Sequence, residues 1–361
     1  MKKVSIITIY DENNFGNRLQ NYAVQEKIKK LGITVISVKY QRNYETKLKY
    51  KIKKYIKTII RIFTQSKRNK KLKLFKSFNK NIIITNKMYN PKTIKKFDNK
   101  YYCDFFIVGS DQVWNPSFGR LTEIELLNFT SRNKVAFSAS FGISSLPNEL
   151  KNRVKNSLNE FKLISVREDA GKKIINDLQI NKDVEVLVDP TMLLNADEWD
   201  KVSRKPKQIS KLSGKKYILN YFLGNLSEER KKEIQRIATE NDCEIINILD
   251  KNDPFFVSGP SEFLWLEKNA FLICTDSFHS SVFAILYNRP FIVFNREDKT
   301  KSMNSRIETL ISKFNLKNRE YNGKNITQEN LKHDYTEAYK ILEQERIKSK
   351  KFLKSALDID E

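Results

Sequence analysis

Histidine and cysteine are scarce in this sequence of 361 residues, which contains two histidines and three cysteines. The cysteines, Cys103, Cys243 and Cys274, stand far apart, and the chain has no Cys-X-X-Cys pair and no Cys/His cluster. Zinc sites and disulfide frameworks need such groupings, so we expect reduced core cysteines and no metal. GxGxxG and GxxxxGK[ST] loops are also absent, and we expect no bound cofactor.

Long apolar runs are missing too. No stretch approaches the roughly 20 apolar residues that a membrane-spanning helix needs. The opening MKKVSIITIY is basic and then apolar, but it breaks at Asp11 without a small-residue cleavage site, which indicates a first strand and not a signal peptide. The hydrophobic share of 40% and aromatic share of 11% are typical of folded chains. We therefore expect a globular, cytoplasmic protein of two domains.

Acidic residues are outnumbered, since 67 Lys and Arg face 43 Asp and Glu, giving a net charge of +24. Residues 41–80 alone carry fifteen basic residues and one acid, a net +14. Within them, apolar residues recur every three or four positions: Ile52, Tyr55, Ile56, Ile59, Ile60 and Phe63. This spacing predicts a basic amphipathic helix, which either packs on its own domain or docks on an anionic membrane surface. No RNP, KH or helix-turn-helix pattern accompanies the charge, so we expect no nucleic-acid partner.

The chain alternates between buried strands and helices, which predicts an α/β fold with parallel sheets. VSIITI, residues 4–9, a helix over 18–32 and ITVISVKY form a first βαβ unit. Later strands in 104–116, 134–142 and 163–169 end in Ser, Asp, Arg or Gly. Because the carboxyl ends of parallel strands meet at one sheet edge, we expect a ligand-binding edge there. Its candidate polar residues are Asn14, Asn17, Gln20, Ser110 and Asp111.

Domain limits follow from a polar stretch without periodicity at 195–214, which we interpret as a linker. The predicted domains are 1–195, carrying the basic insertion at 41–80, and 210–328. A long charged helix occupies 329–361 and contains His333, which we expect at the surface.

Residues 269–294 form a compact strand-helix-strand unit. An apolar strand, 271–275, leads into DSFHSS, where Asp276 and Ser277 stand at the start of a helix. His279 falls in the first helical turn, where backbone N–H groups and the helix dipole favour anions. Asp276 either orients the imidazole or caps the helix.

Six motifs occur in order along the chain: NFGNRLQNYA (14–23), FIVGSDQVWN (106–115), ASFG (139–142), ISVREDAG (164–171), VLVDPTML (186–193) and TDSFHSSVFAILYNRPF (275–291). Together they resemble the polysaccharide pyruvyl transferase family. The resemblance implies a GT-B-like architecture, two Rossmann-type parallel-sheet domains facing a central cleft. It also implies transfer of a pyruvyl group from phosphoenolpyruvate to a sugar of a cell-surface polysaccharide or lipid-linked glycan precursor, forming a ketal without a metal.

Site residues follow from the resemblance together with the chemistry. His279 is the expected general acid/base, because imidazole exchanges protons near neutral pH, and Asp276 is its expected partner. The donor-binding candidates are Arg167, Ser277, Ser280 and Arg306. The residues expected to line the cleft or contact the acceptor are Asn14, Asn17, Gln20, Ser110 and Asp111. Family members often carry an Arg two residues before the histidine, where this chain has Ser277; Arg289, Arg296 or Arg306 could supply that charge instead. Arg167 either holds the donor anion or forms an ion pair with Glu168 or Asp169.

Other functions stay open at this point. A glycosyltransferase using a nucleotide-sugar donor would fit the same two-domain cleft. A family member that assembles glycan enzymes without turnover is a further alternative. In the leading interpretation, a lipid-diphosphate-linked acceptor would place the enzyme at the cytoplasmic face of the membrane, where the basic segment would hold it.

Overall fold

The computed structural model describes residues 2–41, 66–296 and 305–359. The chain divides into two compact units. The first unit is Met1–Leu193 with Lys348–Glu361, and the second is Leu194–Ile347. The predicted amphipathic helix within 48–63 lies outside the described residues, so both of its predicted roles stay predictions.

Over its described residues, the first unit contains six parallel strands and the helices between them. The strands are β1 (Lys3–Ile7), β2 (Thr34–Ser37), β3 (Phe105–Val108), β4 (Asn133–Ala139), β5 (Leu163–Val166) and β6 (Val184–Val186). The helices are α1 (Phe15–Lys29), α2 (Lys67–Phe78), α3 (Ile94–Tyr101), α4 (Asn148–Asn159) and α5 (Asp169–Asp177).

Strand order in this sheet is β2-β1-β3-β4-β5-β6. All pairings are parallel, with Val4 opposite Val35 on one side and Phe105 on the other. The strands read as continuous apolar runs because helices cover both faces of such a sheet. The chain moves from β1 outward to β2 and then returns to the other side of β1 at β3. The carboxyl ends of β1 and β3 therefore form a topological switch point, the usual ligand-binding position in open α/β sheets.

The second unit has a smaller parallel sheet. Its strands are β7 (Lys216–Tyr221), β8 (Cys243–Asn247), β9 (Leu272–Thr275) and β10 (Phe291–Val293), in the order β10-β9-β7-β8. Its helices are α6 (Ala196–Asp200), α7 (Glu228–Glu240), α8 (Pro260–Asn269), α9 (Phe278–Leu286), α10 (Ser305–Lys313) and α11 (Gln328–Leu331). Here the strand order reverses between β7 and β9, and a second switch point lies at their carboxyl ends.

The segment interpreted as a linker packs within the second unit. Asn195 forms a capping box with Glu198 at the start of α6. Trp199 is fully buried and packs edge-on against Phe283 of α9, with ring centroids 5.2 Å apart. A single buried tryptophan in a polar stretch produces no periodic pattern, so the sequence pattern did not reveal that this segment packs against the second unit.

The last helix, α12 (Thr336–Ala356), begins seven residues after the predicted start at 329. Its first part belongs to the second unit, where the Tyr339 hydroxyl donates to the carbonyl of Ile285. From Lys348 onward it belongs to the first unit, where Phe352 stacks on Phe137 of β4. No helix among the described residues combines the length and apolarity required to cross a bilayer.

Candidate active site

Polar side chains at the first switch point form one connected network. The Gln20 amide donates from Nε2 to Thr8 Oγ1 at 2.7 Å and accepts from the Ser110 backbone N–H at 3.1 Å. Thr8 follows β1, Ser110 follows β3, and Gln20 lies on α1. The network therefore joins the ends of β1 and β3, the two strands that form the switch point. The structure thus brings together Gln20 and Ser110, both predicted as cleft residues.

The same network extends to Asp111. Asn17 donates from Nδ2 to Asp111 Oδ2 at 2.5 Å, and Asn14 caps α1 by accepting from the Asn17 backbone N–H at 3.1 Å. Four predicted residues, Asn17, Gln20, Ser110 and Asp111, therefore lie together, with Asn14 at the helix start beside them. Their acceptor-binding role stays a prediction, because helix capping and fixing of the loop account for the contacts that the structure shows.

Gly109 makes the close approach of this loop to β4 possible. Its φ is +123°, and a Cβ built there would stand 2.2 Å from the carbonyl oxygen of Phe137. A side chain is therefore excluded at this position both by conformation and by space.

Arg167, which follows β5, is fully buried among carboxylates. Its Nη1 donates to Asp189 Oδ2 at 2.5 Å, and its Nη2 lies 3.4 Å from Asp111 Oδ1. Burial opposes the charge, but the carboxylates outweigh it, led by Asp189, so the pKa of Arg167 is raised. The contacts favour the ion-pair alternative, with Asp189 and Asp111 as the partners. Donor binding by Arg167 remains a prediction.

Asp189, within the VLVDPTML motif, is a residue of this edge that the sequence did not single out as a site candidate. It is 1% exposed and accepts from Ser110 Oγ, Arg167 Nη1, the Thr191 N–H and Thr191 Oγ1. Four donors on one buried carboxylate mark it as the centre of the network. We call Thr8, Asn17, Gln20, Ser110, Asp111, Arg167 and Asp189 the first-unit cluster.

Glu168, one of the two predicted partners of Arg167, has a different principal role. Its Oε1 accepts from Ser140 Oγ and from the backbone N–H groups of Phe141 and Gly142, at 2.9 to 3.1 Å. The ASFG motif therefore contains a loop after β4 whose backbone N–H groups donate to the buried Glu168 carboxylate. The Arg167 Nε lies 4.0 Å from Glu168 Oε2.

At the second switch point, His279 lies in the first turn of α9, directly beyond the carboxyl end of β9. The residue is 8% exposed, and its ring packs edge-on against Phe278 with centroids 5.3 Å apart. Ser277 is the N-cap residue with extended backbone geometry. The placement predicted from the sequence for this histidine, in the first turn of a helix after a buried strand, agrees with the structure.

Asp276 binds the loop that follows β7. Its Oδ1 accepts from the Leu223 N–H and its Oδ2 from the Gly224 N–H, both at 2.7 Å. Arg296, which follows β10, donates from Nε to Asp276 Oδ2 at 3.1 Å. These donors, rather than the His279 imidazole, hold the carboxylate among the described residues. Asp276 thus joins three strand ends, those of β7, β9 and β10.

Among the three arginines that could supply the charge missing at Ser277, Arg296 is the one placed beside Asp276. Arg289 stands past the other end of α9, just before β10 begins. Arg306 is buried in the first turn of α10. Its predicted donor-binding role stays a prediction.

Ser277 and Ser280, both predicted to bind the donor, are buried and hydrogen-bond to interior residues. The Ser277 side chain hydrogen-bonds to Tyr221, and the Ser277 N–H donates to Thr275 Oγ1 at 3.0 Å. Ser280 is fully buried and donates from Oγ to Glu267 Oε1 at 2.6 Å. These contacts orient both side chains within the helix start, and their contact with a donor is a prediction. We call Asp276, Ser277, His279 and Arg296 the second-unit cluster.

Glu267 on α8 is a buried carboxyl below this helix turn. Burial raises its pKa well above the usual value of 4.5, and the hydrogen bond from Ser280 opposes that effect only in part. The group is therefore favoured in its neutral form at a pH where surface glutamates are charged. Within the described ranges, no three His, Cys, Asp or Glu side chains group to bind a metal.

Comparison with known proteins now decides the family. The family model described as polysaccharide pyruvyl transferase matches residues 14–298, which include every residue of both clusters except Thr8. The chain belongs to the polysaccharide pyruvyl transferase family. It is therefore a transferase, with a sugar or polysaccharide acceptor implied by the family. No curated protein matches the chain at a significant level.

Solved structures agree on the fold. A UDP-N-acetylglucosamine 2-epimerase of Listeria monocytogenes, described as putative, superposes with a TM-score of 0.52 at 12% identity, covering 97% of this chain and 90% of that one. The MnaA–UDP structure from S. aureus gives 0.52 at 14% identity, with the same two coverages. The epimerase of Methanocaldococcus jannaschii gives 0.51 at 14%, covering 94% and 92%. At these identities the likeness shows the fold, a GT-B-like pair of α/β domains.

Proposed function

We propose that this transferase moves a pyruvyl group from phosphoenolpyruvate to a sugar of a glycan precursor, forming a ketal. In that reaction two sugar hydroxyl oxygens bond to C2 of the enolpyruvyl group, and phosphate leaves from the same carbon. The methylene carbon gains one proton and becomes a methyl group, while the second hydroxyl proton leaves with phosphate. The chemistry therefore needs an anion-binding site and a group that transfers protons near neutral pH.

The observation that supports the proposal most directly is the position of His279. It lies at a helix N-terminus beyond a strand end, at the switch point of its sheet, where anions are favoured. In this proposal His279 is the general acid/base that moves the proton between the sugar hydroxyl and the donor methylene. Ser277, together with the amides of the first turn, contacts the anionic donor.

Arg296 is proposed to supply the donor-binding charge that the motif lacks at Ser277. It donates to Asp276, whose carboxylate also accepts two backbone N–H groups. Arg167 differs, because two carboxylates lie within 3.4 Å of its guanidinium and a third at 4.0 Å. An anionic donor is repelled by such an excess of negative charge, which makes Arg167 a poor candidate for donor binding.

Sugar recognition is assigned to the first-unit cluster. Its amides and carboxylates, Asn17, Gln20 and Asp111, are the side-chain types that hydrogen-bond sugar hydroxyls. A lipid-diphosphate-linked acceptor and docking on an anionic membrane surface through residues 48–63 remain part of this proposal. Sedimentation with anionic liposomes at low salt, with and without that segment, tests the membrane contribution separately from turnover.

The central experiment measures phosphate release that requires both phosphoenolpyruvate and lipid-linked glycans extracted from the producing cells. His279→Gln should lower kcat at least 100-fold or so, the usual contribution of general acid–base catalysis, without loss of the folded state. His333→Gln is the matched control, because the other histidine is half-buried outside both clusters, where it contacts the Asn288 carbonyl and the Tyr335 ring. It should retain wild-type turnover.

Two results would contradict the proposal. Wild-type rates in His279→Gln would remove the acid/base assignment. Product formation from UDP-, GDP- or CDP-sugars with no requirement for phosphoenolpyruvate would replace pyruvyl transfer by glycosyl transfer. Arg296→Met should raise the KM for phosphoenolpyruvate about tenfold, the effect of losing one charge-assisted contact.

A further inference from the structure

A second buried arginine lies at the first switch point, and no part of the proposed reaction uses it. Arg18 is in the first turn of α1, and its side chain is 0% exposed. Its Nη2 donates to the Ile9 carbonyl at 2.6 Å, and its Cζ lies 4.7 Å from the ring centroid of Tyr10. Among the described residues, Nε and Nη1 have no hydrogen-bond partner.

The contrast with Arg167 is informative. Both arginines are buried at the same sheet edge, but the Arg167 guanidinium contacts Asp189 and Asp111. Arg18 has no described carboxylate within 4 Å. Asp11 and Glu12 act on it only over a longer range, and burial lowers the pKa of Arg18 to about 10, so it is still charged at neutral pH. A buried cation without a paired anion is strongly unfavourable, which points to a ligand that supplies the anion.

Two lysines add positive charge around the same turn. The Lys39 Nζ lies 4.8 Å from the ring of Tyr10, the ring that also covers Arg18. The Lys71 Nζ lies 4.8 Å from the ring of Phe15, which stands three residues before Arg18 on the same helix face. Lys71 is 5% exposed, and burial lowers its pKa to about 8. Three cations thus surround the first turn of α1.

We propose that Arg18 is the central group of a binding site for a phosphate or diphosphate group at the switch point of the first unit. The Nε–H and Nη1–H groups, which lie on different edges of the guanidinium, can each donate to an oxygen of a phosphate or diphosphate, and the N-terminal turn of α1 adds its dipole. A multiply charged anion suits three cations better than a single carboxylate does. The ring of Tyr10 covers the guanidinium and moves aside when the anion binds. This site is independent of the proposed pyruvyl transfer, because anion binding can occur and be measured without turnover.

Calorimetric titration with inorganic pyrophosphate tests the site. Arg18→Met, which keeps the length of the side chain but removes its donors and charge, should weaken pyrophosphate binding by about 10- to 100-fold. Arg153→Met is the matched control in the same unit, because Arg153 is exposed and pairs with Glu123 at the surface. It should bind like the wild type. A folded Arg18→Met variant within twofold of the wild type would overturn the proposal.

A second measurement keeps Arg18 in place, so it tests anion binding even if the Arg18→Met variant does not fold. The chain with Tyr10→Ala, which uncovers the guanidinium, is labelled with an arginine-directed dicarbonyl and mapped by mass spectrometry. Pyrophosphate should slow labelling of Arg18 and leave Arg153 unchanged. Equal labelling of Arg18 with and without pyrophosphate, or an Arg18 that never reacts, would contradict the site.

The source of the anion is distinguished by varying the protecting ligand. Protection by phosphoenolpyruvate at lower concentration than by pyrophosphate assigns the site to the phosphate of the donor. Protection by pyrophosphate and prenyl diphosphates, but not by phosphoenolpyruvate, assigns it to a diphosphate-linked acceptor. Both outcomes support the anion site, and neither requires turnover.

Discussion

Replacing Arg167 by Met would leave the carboxylates of Asp189 and Asp111 buried without their cation. The Arg167 side chain is 1% exposed, and those of Asp189 and Asp111 are 0% and 10% exposed. Removing one member of a buried ion pair costs about 3–5 kcal/mol, because the remaining charge loses both solvent and partner. For a unit of about 200 residues, such as the first unit, that corresponds to a Tm lower by roughly 6–20 °C.

Urea unfolding followed by circular dichroism measures the loss, with Arg153→Met as the control. The exposed Arg153–Glu123 pair should contribute about 0–1 kcal/mol. A double variant, Arg167→Met with Asp189→Asn, should recover part of the stability, since it removes the uncompensated charge. The expected coupling between the two sites is about 1–3 kcal/mol.

The alternative role of Arg167 makes the opposite prediction. If its guanidinium holds the donor anion, the variant should fold with a loss below about 1 kcal/mol, the level of an exposed pair, and bind phosphoenolpyruvate much more weakly. A stable Arg167→Met protein with a KM raised about tenfold would therefore refute the ion-pair interpretation.

Two further predictions concern the second unit. Glu267→Gln should remove a pH dependence of the free energy of unfolding. Because the pKa of Glu267 is raised in the folded state, the folded protein keeps a proton that the unfolded chain releases above about pH 4.5. The stability of the wild type therefore falls as the pH rises from that value. Urea midpoints of the variant and the wild type should agree near pH 4 and diverge towards pH 8 in favour of the variant; parallel curves would show a charged Glu267. Asp276→Asn should cost about 2–3 kcal/mol, because the new NH₂ group faces a backbone N–H that needs an acceptor. The exposed Asp250→Asn serves as its control, and equal stability of the two variants would contradict the loop-binding role.

Most of the architecture was predictable, because buried parallel strands are short apolar runs between turn residues. VSIITI and FLICT became β1 and β9 to within a few residues. The position of His279 was equally predictable, since a strand end followed by capping residues determines where the helix begins. The ordered motifs also pointed to the correct family.

The partners of the charged residues were not predictable. The sequence offers Glu168 and Asp169 as neighbours of Arg167, whereas its partners, Asp189 and Asp111, stand 22 and 56 positions away. Such pairs arise only when several strand ends meet at one sheet edge. Arg296 was one of three equal candidates until β10 placed it beside Asp276.

Arg18 was missed for a different reason. The helical spacing of apolar residues such as Leu19 and Tyr22 predicts which of them face the interior, but it says nothing about where Arg18 lies. In the folded chain, every residue from Phe15 to Gln25 is buried, polar ones included. A helix buried all round carries no amphipathic signal, so its polar residues cannot be divided into inner and outer ones. The available clue was an arginine without an acid three or four positions away on its helix.

The division of α12 between the two units has a consequence for biosynthesis. Residues up to Leu193 leave the ribosome early, but Phe352, which stacks on Phe137, and Leu357, whose carbonyl accepts from Lys2, are translated only after the whole second unit. At typical bacterial and eukaryotic elongation rates that delay is roughly 8–30 s. During this interval the nascent first unit exposes the apolar surface around Phe137. A chaperone would bind this surface until the end of α12 is synthesised and covers it.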